Sequence, residues 1–135
     1  MSWAEAVDGL SQDPRALAEL AARRAAIVAR GRPASPAEII AALAPLVSLY
    51  GAPRRSEAEW THFWGFYTRA LAGLPFEALE AGVADYVAAP TSDFFPRPGP
   101  LRAMIQARAA PLRMAANRAE RALATAQTLK AGRAQ

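Results

Sequence analysis

Apolar residues recur at helical spacing in successive stretches of the chain, and each stretch is bounded by residues that begin or end helices. In the clearest stretch they stand at i, i+3, i+4, i+7 and i+11, which confines them to one stripe of a helix. The members of this stripe are Trp60, Phe63, Trp64, Tyr67 and Leu71. The spacing predicts a helix with one buried face.

Two of the predicted helices have a distinctive start. Ser35 is followed by Pro36 and, three residues on, by Glu38, while Ser56 is followed by Glu59 at the same spacing. A serine with a glutamate three residues later forms a capping box, in which each side chain bonds the backbone N–H of the other residue. Further helices are expected from Pro14 to Arg30, from Pro75 to Ala89 and from about Gly99 onward.

Two prolines fall inside apolar patterns that otherwise continue. Proline removes a backbone hydrogen bond, and its ring clashes with the carbonyl four residues earlier. We therefore expect the second helix to kink at Pro45 or to end near Ala44. For the same reason, we expect the fifth helix to be interrupted at Pro111.

A stiff loop is predicted between the fourth and fifth helices, at residues 94–100. Its sequence is Phe-Phe-Pro-Arg-Pro-Gly-Pro, in which two prolines force extended backbone before them and Pro100 suits a first helical turn. Both phenylalanines are expected to be buried, since each carries enough apolar area to matter at about 25 cal/mol per Å².

Together these patterns predict an all-α fold, a small bundle of four to five helices with a basic C-terminal helical arm. We expect an alanine-rich N-terminal helix and linker over residues 1–34, a compact helical core over 35–112 and a helical or frayed arm over 113–135. The predicted core consists of Trp60, Phe63, Trp64, Tyr67, Leu79, Val83, Tyr86, Phe94, Phe95 and Ile105.

Composition and charge add two points. The chain has 35 alanines, which favours helix formation. It has no cysteine, which excludes disulfide bonds and thiolate chemistry. Residues 1–96 carry 8 basic and 11 acidic side chains, whereas residues 97–135 carry 8 basic and one acidic. A basic C-terminal segment of this kind is suited to binding the phosphate groups of nucleic acid or an acidic protein surface.

Little in the sequence indicates catalysis. His62 lies about 200° around the helix from Trp60, so we expect it to face solvent, and the carboxylates occur in helix caps or first turns. No phosphate loop, nucleophile elbow or zinc-protease motif is present. The sequence therefore predicts a non-enzymatic protein without cofactor or metal, with no membrane span or secretion signal and a cytoplasmic location.

Binding residues are predicted on three segments. Phe66 lies off the aromatic stripe, where it is either a second core contact, which we favour, or an exposed anchor for a protein partner. Arg97 and Arg102 lie at the stiff loop and the start of the helix after it, and we predict that both bind this protein partner. Nucleic-acid contacts are predicted for basic residues further along, namely Arg108, Arg113, Arg118, Arg121 and Lys130.

The order of several motifs resembles a known family. These motifs are Glu59-Trp60 with Phe63-Trp64, Leu74-Pro75-Phe76-Glu77-Ala78-Leu79, Gly82-Val83, Tyr86, and the stretch from Phe94 to Leu101. Over about residues 56–112 the chain is similar to the small helical module of phage and prophage replication proteins, the helicase loaders and inhibitors that include the lambda P type. The resemblance implies a protein that binds a replicative helicase, as loader or inhibitor.

The leading hypothesis is therefore a non-enzymatic, phage-type replication accessory protein that contacts a helicase through its helical core and DNA through its arm. Alternatives remain open: a nucleic-acid-binding or DNA-packaging factor that acts through the basic arm, or a small assembly adaptor that oligomerises. The sequence leaves loader and inhibitor, and the oligomeric state, undecided.

Overall fold

The computed structural model describes residues 13–134, and within them it has five α-helices and no β-strand. The helices are α1 (Pro14–Ala29), α2 (Pro36–Tyr50), α3 (Glu57–Ala70), α4 (Phe76–Ala88) and α5 (Pro98–Ala134). The predicted all-α fold is confirmed. None of these helices combines the length and the apolar character that crossing a membrane requires.

Both predicted capping boxes are present. At the start of α2, the Ser35 hydroxyl accepts from the Glu38 N–H at 3.1 Å, and the Glu38 carboxylate accepts from the Ser35 N–H at 3.0 Å. Ser56 and Glu59 make the same exchange at the start of α3, with both bonds at 3.2 Å. Each box satisfies two N–H groups that have no partner within the helix.

The two internal prolines do not end their helices. α2 continues through Pro45 to Tyr50, so the end near Ala44 is wrong and the alternative, a kink at Pro45, stays a prediction. α5 continues through Pro111, so the interruption expected there is also wrong. Both prolines are exposed. The carbonyls that lose a partner belong to Ala41 and Ala107, which are also exposed, so water can satisfy these groups and the cost of each proline is reduced.

The described residues fall into two units, of which the larger is Gly31–Pro111. In this unit α2 contacts both α3 and α4, and residues 98–111 of α5 contribute Leu101, Ile105 and Ala109 to the core. The linker before α2 pairs with the turn before α4, where the Ala34 N–H donates to the Leu74 carbonyl at 2.9 Å. The most deeply buried large side chains are Ile39, Leu43, Leu71, Leu79, Leu101, Ile105 and Pro96.

Most of the predicted core residues lie in or against this core. Tyr67, Leu79, Val83 and Ile105 are buried, and Phe63, Trp64, Tyr86 and Phe95 are partly buried and pack against them. Phe94 does not: its side chain is 78% exposed, so its assignment to the core is wrong. Trp60 is partly buried but is not among the residues that pack against this core.

α4 and α5 pack closely against each other at Gly82. A Cβ atom added to Gly82 would lie 2.6 Å from Cγ1 and 2.8 Å from the Cα of Ile105. Real Cβ atoms do not come this close to backbone, so any side chain at this position would push the two helices apart. Gly82 therefore fixes how closely α4 and α5 pack.

The smaller unit contains residues 13–30 and 112–134. Its apolar core consists of Leu20, Ala122 and Ala126, with Leu17 and Leu123 packed against them. The apolar face of α1 is thus narrow, and it lies against the C-terminal part of α5. Arg24 of α1 forms an ion pair with Glu120 of α5.

Candidate interaction surfaces

The loop that precedes α5 is attached to the core of the Gly31–Pro111 unit by two consecutive residues. Phe95 packs between Phe63 and Tyr67, with ring centroids 5.4 and 5.5 Å away, and Pro96 is fully buried. The preceding residue, Phe94, has its side chain 78% exposed.

Two tyrosine hydroxyls hold the backbone of this loop. The Tyr67 hydroxyl donates to the Pro96 carbonyl at 2.5 Å, and the Tyr86 hydroxyl donates to the Phe94 carbonyl at 2.7 Å. Burial is the main cause that raises the pKa of each tyrosine above its ordinary value. Both hydroxyls therefore stay protonated at neutral pH and remain hydrogen-bond donors.

Phe94 is thus an exposed aromatic side chain on a fixed backbone. Among the large apolar side chains of residues 13–134 it is the most exposed, and within this range its ring makes no aromatic or cation–π contact. Phe94 is therefore one of the residues whose burial was expected but whose side chain lies largely in solvent. We refer to Phe94 and the loop that carries it, residues 93–97, as the Phe94 loop.

Phe66 is also exposed, at 63%, so the expectation that it belongs to the core is wrong. The Arg69 guanidinium lies over its ring, 5.3 Å from the centroid, and covers one face. The alternative role of Phe66, as an anchor for a partner, stays a prediction. His62 is exposed on the same helix, as expected.

The remaining aromatic residues of α3 form a half-buried ladder. Trp60 and Trp64 are stacked with centroids 6.0 Å apart, and Phe63 meets both edge-on. The Arg55 guanidinium lies 4.7 Å from the ring centroid of Trp60 and 4.4 Å from that of Phe63. These contacts give the ladder internal partners and a structural role.

The three arginines that flank the loop have different surroundings. Arg97 is exposed directly before α5. Arg102 donates to the carbonyl of Ala70 at 2.5 Å, which satisfies a carbonyl at the C-terminal end of α3. Arg108 makes a bidentate ion pair with Asp85, with bonds of 2.6 and 2.7 Å, and this hydrogen bonding lowers the pKa of Asp85. Arg102 and Arg108 therefore have internal partners, and their binding roles stay predictions.

The cations predicted to contact nucleic acid further along α5 are Arg113, Arg118, Arg121 and Lys130, and all four are exposed. Basic and acidic side chains are distributed unequally between the two units. Residues 31–111 carry seven basic and seven acidic side chains, whereas residues 13–30 and 112–134 carry nine basic and three acidic. The positive excess therefore lies entirely in the smaller unit.

Sequence reasoning missed two arginines that line a groove in this unit. Arg23 and Arg24 of α1 line one groove together with Arg118 and Arg121 of α5. The adjacent pair of arginines was visible in the sequence, but its pairing with α5 was not, because alanine-rich faces carry little pattern to show which helices meet. Arg113 and Lys130 are not among the residues that line this groove.

No family model, curated protein or solved structure matches the chain. Among residues 13–134, no group of three or more histidine or acidic side chains is placed to hold a metal ion.

Proposed function

We propose that the chain is a non-enzymatic accessory protein of DNA replication, acting in the cytoplasm, which binds a replicative helicase through the Phe94 loop. The observation that carries this proposal is a phenylalanine with 78% of its side chain exposed on a backbone held by two tyrosine hydroxyls. Whether the protein acts as loader or inhibitor is a separate question that binding alone does not decide.

An exposed aromatic side chain on a rigid loop is well suited to binding. Much of the cost of association comes from ordering side chains and loops, at about 0.5–1.5 kcal/mol for each immobilised side chain. Here the backbone carbonyls of Phe94 and Pro96 already accept hydrogen bonds, and Phe95 and Pro96 are packed in or against the core. A hydrophobic pocket on a partner could therefore take up Phe94 at a low entropic cost.

The resemblance to phage helicase loaders and inhibitors supports the choice of partner. Most residues that carry it, including Trp64, Leu79 and Phe95, pack in or against the core, so they maintain the fold. Phe94 belongs to the same set of motifs but is exposed. It is therefore the member of that set best placed to contact a helicase directly.

The experiment is a titration of the purified replicative helicase of the encoding organism with the full-length chain and matched variants. Phe94→Ala should weaken binding at least tenfold, because hot-spot aromatic residues contribute about 2 kcal/mol or more. Phe66→Ala is the matched control, since it removes another exposed phenylalanine, and Met114→Ala tests a large exposed apolar side chain in the smaller unit. Both controls should bind within twofold of the unsubstituted chain.

Two results would contradict the proposal. Absence of binding by the unsubstituted chain would remove the helicase as partner. Loss of binding in Phe66→Ala with retention in Phe94→Ala would place the contact on the exposed face of α3 instead.

A second candidate function rests on the charge of the smaller unit. Its nine basic and three acidic side chains favour a nucleic-acid-binding or DNA-packaging adaptor, for which phosphate contacts would supply most of the affinity. Under this alternative, binding of a duplex DNA should fall steeply with salt, with a logarithmic slope of about −0.9 for each phosphate contacted. A slope near zero would exclude it.

A further inference from the structure

The smaller unit contains an open groove of about 640 Å³ between α1 and the C-terminal part of α5. Leu20, Arg23, Arg24 and Ile27 line it from α1, at i, i+3, i+4 and i+7. The α5 side spans residues 115–125 and contributes Arg118 and Arg121 together with alanines and Thr125. The lined length of α5 is about 15 Å at 1.5 Å per residue, or nearly three helical turns.

The groove combines apolar surface with strong positive charge. Its apolar surface comes mainly from Ile27 and small alanine side chains, since Leu20 beneath them is only 8% exposed, and the small side chains allow a partner backbone to approach closely. Of its arginines, Arg24 is paired with Glu120. Arg23, Arg118 and Arg121 form no ion pair with any carboxylate of residues 13–134. Three guanidinium groups thus remain available beside an apolar surface.

We propose that this groove binds an amphipathic helix of a partner protein, two to three turns long, with an apolar stripe flanked by carboxylates. Such a helix would complete a three-helix arrangement with α1 and α5, its stripe covering Ile27 and the neighbouring alanines of the groove. Its carboxylates would accept charge-assisted, bidentate hydrogen bonds from Arg118 and Arg121. This site is independent of the Phe94 loop, since it lies wholly within the other unit.

Charge and apolarity together select this occupant. A second copy of the chain would bring arginines against arginines, which is unfavourable. A nucleic-acid backbone would match the arginines but would leave the apolar residues without a contact. An acidic amphipathic helix matches both features, so the observations favour it over DNA.

The test uses fluorescence anisotropy with the full-length chain and a labelled 18-residue helical peptide. The peptide has leucine at i, i+3, i+4 and i+7 and glutamate on the flanks of that stripe. One control peptide has the same composition in an order that breaks the stripe, and a second has lysine in place of glutamate. An 18-base-pair DNA duplex serves as the competing ligand.

The striped acidic peptide should bind at least tenfold more tightly than either control peptide. Arg118→Ala combined with Arg121→Ala should weaken its binding at least tenfold. The matched double variant, Arg113→Ala with Lys130→Ala, removes the same charge from the same helix outside the groove and should change binding less than threefold. Ile27→Ala should weaken peptide binding and leave any DNA binding unchanged, with circular dichroism confirming that the variants remain helical.

Three results would overturn the proposal. Equal binding of the striped and reordered peptides would show that the apolar surface is not used. Displacement of the peptide by the DNA duplex, with a steep dependence on salt, would assign the groove to nucleic acid. Absence of peptide binding at millimolar concentration would leave the groove without this function. None of these results depends on the Phe94 loop.

Discussion

The Tyr86 hydroxyl donates a 2.7 Å hydrogen bond to the backbone carbonyl of Phe94. One of the partly buried aromatic residues thereby fixes the backbone of the most exposed one. Together with the bond from Tyr67 to Pro96, it holds the loop on both sides of Phe95. These two hydrogen bonds hold the backbone that keeps the Phe94 side chain in solvent.

Tyr86→Phe should weaken helicase binding about threefold, a smaller effect than that of Phe94→Ala. The substitution keeps the ring, which lies 6.2 Å from that of Tyr50, and removes only the hydroxyl. The Phe94 backbone then has to be ordered on binding, at about 0.5–1.5 kcal/mol. A titration identical to that of the unsubstituted chain, alongside a large effect of Phe94→Ala, would show that the hydrogen bond does not prepare the loop.

Loss of the Tyr67 hydroxyl should lower stability more than loss of the Phe94 side chain. Tyr67→Phe removes the donor to the Pro96 carbonyl at a buried site, so the free energy of unfolding should fall by about 1–3 kcal/mol. Phe94→Ala should change it by less than about 0.5 kcal/mol, because the side chain is largely exposed. Urea unfolding at pH 7 measures both values, and a larger loss in Phe94→Ala than in Tyr67→Phe would contradict the assignment.

Gly82→Ala should destabilise the Gly31–Pro111 unit by about 1–3 kcal/mol. Helix propensity favours alanine over glycine by about 1 kcal/mol, but the added Cβ would meet Ile105 backbone at 2.8 Å. Gly65→Ala is the matched control, because its nearest neighbour is the flexible end of Arg69, at 3.4 Å. Urea unfolding should show that the control is neutral or stabilised, and equal effects at both glycines would rule out the close packing at Ile105.

Arg102→Ala and Arg97→Ala should have different effects on stability. Arg102 satisfies the Ala70 carbonyl at the end of α3, so its loss should reduce the free energy of unfolding by about 1–2 kcal/mol. Arg97 is exposed, and its replacement should be close to neutral. Chemical denaturation of the two variants measures this difference. Equal midpoints would mean that the Arg102 hydrogen bond contributes nothing to the fold.

Acid should destabilise the protein partly through Glu38. Hydrogen bonds from Arg32 and from the Ser35 N–H lower the pKa of Glu38 from 4.5 to about 2. Because the folded-state pKa lies below the unfolded value, the stabilisation is fully present above about pH 5 and is lost as the pH falls toward 2. NMR titration of the Glu38 carboxyl should give this low pKa.

The variant Glu38→Gln removes the titrating group and should therefore lose less stability than the unsubstituted chain between pH 5 and pH 2. Urea midpoints at several pH values measure this difference. A Glu38 pKa near 4.5, or parallel losses in both proteins, would contradict the role assigned to the pair with Arg32.

Local signals in the sequence were sufficient to predict where the helices lie. Ser35 and Ser56 form their capping boxes because the interaction needs only residues three apart. The stripe from Trp60 to Leu71 specifies a helix face for the same reason. The helix end near Ala44 and the interruption at Pro111 do not occur, because the cost of an internal proline depends on whether solvent can reach the neighbouring backbone, which is set by tertiary structure.

The candidate surfaces were harder to predict because they depend on long-range contacts. Phe94 and Phe95 are chemically identical neighbours, and only the packing of Phe95 against Phe63 decides which of them is buried. The groove joins Arg23 to Arg118, which are distant in sequence, across faces rich in alanine. For Phe66, the angular distance from the Trp60 stripe did indicate exposure, and the preference for a core position underweighted it.

The most direct test of the central claim is a footprint of the helicase on the Phe94 loop. The chain has no cysteine, so a single introduced thiol reports on one place, and Asp93→Cys and His62→Cys put exposed thiols beside Phe94 and Phe66 respectively. Saturating helicase should slow alkylation of Asp93→Cys at least tenfold and leave His62→Cys unchanged. Unchanged alkylation of Asp93→Cys in a complex shown to be fully formed would contradict the assignment of the Phe94 loop as the binding surface.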